Sequence, residues 1–74
     1  MKADYHINLF FSAADGGYIA DVPDLKSCAA FGATPETALK EVLLAKSAWL
    51  TAARKHKKTV PKPRYRPAIY ALGT

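Results

Sequence analysis

The sequence predicts an α+β fold: a three-stranded antiparallel meander with one long helix packed on it and a short C-terminal strand, in the order β-β-β-α-β. Three observations carry that reading. Apolar and polar residues alternate from Tyr5 to Ser12, the period of a strand with one covered face. Turn-forming residues then cut the chain into two more short apolar runs. After Pro35 no Gly or Pro occurs before Pro61, and Ala, Leu, Lys and Glu dominate as far as Lys55.

In the first strand Tyr5, Ile7, Leu9 and Phe11 alternate with His6, Asn8, Phe10 and Ser12. Ala13-Ala14-Asp15-Gly16-Gly17 supplies a hairpin turn, because Gly tolerates positive φ and Asp bonds nearby backbone. In the second strand Tyr18, Ala20 and Val22 point one way, Ile19 and Asp21 the other. Pro23 removes a backbone donor and ends the ladder, and Asp24 is expected to close the bend. Cys28 to Phe31 is the third strand, and Gly32 ends it.

Thr34-Pro35-Glu36 is a helix start: an N-cap oxygen, a proline where no donor is needed, and an acid at the positive end of the dipole. At about 100° per residue, Ala38, Val42, Ala45, Trp49, Ala52 and Ala53 form a stripe for the sheet. Leu39, Leu43 and Leu50 form a neighbouring stripe, with Lys46 inside the apolar arc, and Leu44 lies nearly opposite. Either part of this arc meets another chain, or Lys46 snorkels across a plain core. Pro61, Pro63 and Pro67 make the next stretch extended, and Ala68–Leu72 is the expected final strand.

The 74 residues are read as one domain, 1–74, ending in a basic Pro-rich segment, 57–74. A chain of this size buries a modest core, which favours oligomerisation. No apolar run reaches membrane-spanning length and no signal-peptide pattern opens the chain, so a soluble cytoplasmic protein is expected. Cys28 is the one cysteine, so no internal disulfide can form.

The net charge of +5 is divided unevenly. Residues 1–41 hold all six acids and net −3, whereas residues 42–74 hold no acid and net +8. Arg54, Lys55, Lys57, Lys58, Lys62, Arg64 and Arg66 crowd into the helix end and the segment after it, with Tyr65 among them. Such a run can neutralise phosphates while the tyrosine stacks on a base, so a nucleic-acid-binding module is one functional reading.

Catalytic chemistry is not expected. Asp21 and Asp24 flank the bend, with Asp4 on the first strand as a third candidate, but carboxylates without further partners make a weak metal site. His6 and His56 lack ligands at zinc spacing. Cys28 opens an apolar strand with no nucleophile turn around it, and no Gly-rich phosphate loop occurs. No metal, cofactor or enzymatic activity is predicted.

Gly17-Tyr18-Ile19-Ala20-Asp21-Val22-Pro23-Asp24-Leu25, then Cys28, then Gly32-x-Thr34-Pro35-Glu36-x-Ala38-Leu39, resembles the HicB-like antitoxin family, as does the Val60-Pro61-x-Pro63 segment. The resemblance covers roughly residues 4–70 and implies a partial ribonuclease H-like fold without that enzyme's active site. It also implies a protein that masks a HicA-type toxin, a small messenger-RNA ribonuclease, and assembles as a homodimer or larger oligomer. The candidate partner-binding residues are Asp21, Pro23 and Asp24, at the bend the resemblance singles out, and Leu39, Leu43 and Leu50, from the helix stripe. Two departures stand out. Lys26-Ser27 replaces the family's Pro-Gly before the cysteine, and Lys57 or Lys58 stands where a glycine near the helix end is usual, which argues against a left-handed cap. The sequence after Tyr70 is too short for the operator-binding domain many members carry. Because HicA-type toxins tend to be basic, either the acidic half (Asp4, Asp15, Asp21 and Asp24) forms the toxin-facing side or this protein has left that role.

Overall fold

A computed structural model of the chain describes residues 4–66. Strands β1 (Asn8–Ser12), β2 (Gly17–Asp21) and β3 (Ala29–Gly32) precede one helix, α1 (Pro35–Lys55). The strands form a single antiparallel sheet in the order β1-β2-β3, and α1 lies across one face, closest to β3. The class is α+β. The strand expected at Ala68–Leu72 lies outside the described residues.

β1 is shorter than the alternation suggests, starting at Asn8 and not near Tyr5. Its register explains this. Asn8 faces Asp21, so continuing the ladder would bring His6 to Pro23, which has no N–H to give. At the other end the hairpin is closed by Ser12, whose carbonyl accepts from the amides of Asp15 and Gly16 and whose hydroxyl donates to Asp15 Oδ2 at 2.7 Å. β3 starts at Ala29 and includes Gly32, one residue later than the apolar run implies.

The bend between β2 and β3 is closed by backbone. Leu25 donates to the Val22 carbonyl at 3.0 Å, Cys28 to Leu25 at 3.2 Å, and Val22 to Cys28 at 2.9 Å. Ser27 makes the turn in the left-handed region, φ 61°, where the resemblance places glycine. Asp24 takes no part in closing it and binds elsewhere, as described below.

The helix begins as its sequence dictates. Thr34 Oγ1 accepts from the Thr37 amide at 3.1 Å, and Pro35 occupies the first turn. Its end departs from expectation. Lys57 sits at φ 56°, its amide bonds to Arg54, and the Lys58 amide bonds to Ala53, which is a Schellman cap built on lysine. The cap forms without glycine because two backbone bonds offset the cost of the left-handed residue.

Ala20, Val22, Leu25, Cys28, Ala38 and Val42 make the buried core, fringed by Tyr5, Ile7, Tyr18, Ala30, Ala45, Trp49 and Leu50. Burying Leu25 contributes about 2 kcal/mol. The small side chains let sheet and helix approach closely: a Cβ on Gly32 would stand 2.3 Å from the Ala38 nitrogen. Trp49 pins the helix to the β2–β3 loop by donating from Nε1 to the Lys26 carbonyl at 3.0 Å. Of the predicted inward stripe, Ala52 is exposed, because α1 outruns the short sheet there.

Candidate interaction surfaces

Because α1 covers one face of the sheet, the other face is uncovered by any described element. Cross-strand partners share a face, so Phe10, Ile19 and Phe31 form a row straight across all three strands. Asn8, Asp21 and Ala29 form the next row. Phe10 and Phe31 are about half-exposed, and Asp21 Oδ1 is shielded from solvent with no hydrogen-bond partner among the described residues. An apolar strip beside an unsatisfied carboxylate oxygen is suited to covering another molecule. The strip was not singled out from sequence, although three consecutive apolar residues, Leu9-Phe10-Phe11, break a strict alternation and signal a second apolar face.

A second apolar surface lies on the helix side. Lys46 Nζ pairs with Asp4 at 3.0 Å, just ahead of β1, so the helix stripe carrying Lys46 is the one turned towards β1. Lys46 is therefore tied down by an acid and does not simply snorkel. Helical spacing places Leu39, Leu43 and Leu50 on that stripe. Leu39 and Leu43 are exposed, as are Leu9 and Phe11 on the same side of β1, whereas Leu50 is half-buried. The six candidate partner residues thus separate. Asp21 belongs to the open sheet face, Leu39, Leu43 and Leu50 to the helix side, and Pro23 and Asp24 to the bend.

Asp24 is already engaged. Its carboxylate accepts from the Arg64 amide at 3.1 Å and from the Tyr65 amide at 3.1 and 3.2 Å, holding the extended segment after the helix against the bend. Tyr5 adds a hydrogen bond from its hydroxyl to the Pro61 carbonyl, and the His6 and Tyr65 rings meet at 4.7 Å. Asp4, Tyr5, His6, Arg64, Tyr65 and Arg66 line a cleft of about 370 Å³. Lys62 and Arg64 border a neighbouring hollow, and Lys58 a third one beside Trp49 and His56. The seven basic residues are all exposed, at the helix end and around these hollows, with Arg64 shared by two of them.

The acids are likewise dispersed. Asp4 pairs with Lys46, Asp15 with Ser12, and Asp24 with the C-terminal segment. No group of three metal-ligating side chains occurs among the described residues. Cys28 is buried, and desolvation raises its pKa above the ordinary thiol value, with Asp21 adding to the rise and Lys46 opposing it. No helix among the described residues is long and apolar enough to cross a membrane.

These features define a small α+β protein whose distinguishing property is apolar surface left uncovered by its own elements. The chain belongs to the UPF0150 family: it is 36% identical over 53 residues to a UPF0150 protein from Synechocystis sp., covering 72% of this chain and 73% of that one. No family model and no solved structure matches it.

Proposed function

We propose that this protein is the HicB-like antitoxin of a HicAB-type toxin–antitoxin pair, acting in the cytoplasm by covering a small basic messenger-RNA ribonuclease, with no catalysis of its own. The observation that carries the reading is the open sheet face, where the Phe10–Ile19–Phe31 row adjoins Asp21, whose Oδ1 has no hydrogen-bond partner among the described residues. Apolar area supplies association and an uncommitted carboxylate selects a basic partner. The UPF0150 relationship and the Gly17–Cys28 and Gly32–Leu39 motifs support it. The fold is read as a partial ribonuclease H fold completed at 68–72, with the helix-side leucines as a subsidiary contact.

The test is isolation of tagged protein from its native cell, followed by messenger-RNA cleavage assays with whatever co-purifies. A small basic ribonuclease, silenced by the native chain and much less by Asp21→Arg, is the expected result. A clean preparation without any such companion would remove the proposal.

One observation favours a second reading, nucleic-acid binding. Arg64, Arg66 and Tyr65 converge on the cleft beside His6, combining phosphate-neutralising and stacking groups. Binding of single-stranded RNA that weakens steeply with salt, and is lost on replacing Arg64 and Arg66 by Ala, would support it. No binding at low salt would end it.

A further inference from the structure

The corner between the β2–β3 loop and the end of α1 holds a pocket of about 290 Å³, near the lower end of the size range of small-ligand sites. Trp49, Ala52 and Ala53 supply its apolar lining, and Lys26, Ser27, His56 and Lys58 complete it. It shares no lining residue with the cleft at Arg64 and Tyr65. Hydrogen bonds to backbone hold its walls. Trp49 Nε1 donates to the Lys26 carbonyl at 3.0 Å, the Lys58 amide donates to Ala53 at 2.8 Å, and a bond from Cys28 to Leu25 closes the loop around Ser27.

Two features set this pocket apart. The first is strain. Among the described residues, Ser27 and Lys57 are the ones other than glycine in left-handed backbone; Ser27 lines the pocket and Lys57 directly precedes Lys58. Such strain is retained where a site needs the side chain. These are also the two places where the sequence departs from the HicB-like pattern, and each departure brings a lysine to the pocket. The second feature is charge. No acid lines the pocket, and Lys26 and Lys58 are exposed and form no ion pair among the described residues. The negative end of α1 accounts for His56 and Lys58, but not for Lys26, which comes from the β2–β3 loop.

We propose that this pocket binds a nucleoside monophosphate, with the base against Trp49 and the phosphate between Lys26, Lys58 and the His56 imidazole. A phosphomonoester carries a charge of about −1.5 to −2 at neutral pH, which two lysines match more closely than they match a single carboxylate. The indole gives a base an apolar surface to stack on, and the exposed Ser27 hydroxyl adds a donor. The volume admits one nucleotide and not a length of strand. A free nucleotide and the phosphorylated end of an RNA strand present this same chemistry.

The test follows the Trp49 indole N–H of the full chain by NMR, a single resonance because the chain has one Trp. AMP should shift it saturably with a Kd below about 1 mM, and adenosine or inorganic phosphate alone should bind at least about tenfold more weakly. K26E and K58E, both at exposed positions, should keep the amide pattern of the sheet and weaken AMP at least about tenfold. Replacing Arg64 and Arg66 by Ala should leave the titration unchanged. A 5′-phosphorylated oligoribonucleotide that binds more tightly than AMP would assign the pocket to strand ends, and one that binds no more tightly would assign it to free nucleotide; both outcomes support the proposal. No shift with either ligand, AMP bound no better than phosphate, binding indifferent to K26E and K58E, or binding lost with Arg64 and Arg66 would overturn it. None of these measurements involves a toxin, and the probe sits outside the Arg64 cleft, so their outcome stands apart from both the antitoxin and the RNA-binding readings.

Discussion

Asp24 holds Tyr65: both carboxylate oxygens accept from the Tyr65 amide, at 3.1 and 3.2 Å, and one of them also accepts from Arg64. The bend after β2 is thus a clasp for the basic segment that follows the helix. Charge-assisted bonds of this type are stronger than neutral ones, although partial exposure reduces their net value. Asp24→Ala should cost about 1 kcal/mol of stability. Amide exchange at Arg64 and Tyr65 should accelerate while the sheet amides keep their protection. Unchanged exchange at those two positions would show that the clasp does not hold the segment in solution.

Gly32 marks the closest approach of sheet and helix. In Gly32→Ala the new methyl would meet helix backbone at Ala38 and Thr37, which cannot swing aside as a flexible side chain would. A loss of more than about 2 kcal/mol is expected, because strand and helix must separate or the helix start must distort. Thermal melts read this directly, and a variant as stable as the native chain would contradict the packing described.

Ser27 and Lys57 occupy left-handed backbone, which costs a side-chain-bearing residue roughly 1 kcal/mol. Ser27→Gly and Lys57→Gly should therefore each stabilise the protein by about 0.5–1 kcal/mol, the relieved strain exceeding the extra unfolded-state entropy of glycine. Destabilisation of either variant in urea titrations would mean that the side chain makes a contact worth more than the strain.

Cys28 gives a pH dependence whose sign is fixed by its burial. Desolvation raises the folded-state pKa, so the folded protein retains the thiol proton where the unfolded chain releases it. The contribution is complete below the ordinary thiol range and is lost as pH rises through that range towards the raised value. Cys28→Ala should flatten this part of the stability curve, and native Cys28 should react with thiol reagents only as fast as the protein opens.

Much of the architecture was legible in local chemistry. Thr34, Pro35 and an uninterrupted run to Lys55 placed the helix at its observed ends, because caps and breakers act within a turn of themselves. The strands were placed within a few residues by alternation and turns. The misjudged start of β1 has a non-local cause, since what stops that strand at Asn8 is Pro23 on its neighbour. The candidate surfaces were less legible. Asp21, Asp24 and the leucines were chosen as one set, yet they lie on different sides of the molecule, and the phenylalanine row became visible only with the cross-strand register.

By itself the sequence determined the number and order of the described elements, the helix boundaries and the separation of charge, all of which follow from interactions a few residues apart. Only the tertiary structure decided that Asp24 binds a segment 40 residues away, that Lys46 answers Asp4, and that Phe10, Ile19 and Phe31 line up on an uncovered face. The reason is physical. Backbone preferences and caps are set locally, whereas register, facing and long-range hydrogen bonds exist only once distant parts of the chain have packed.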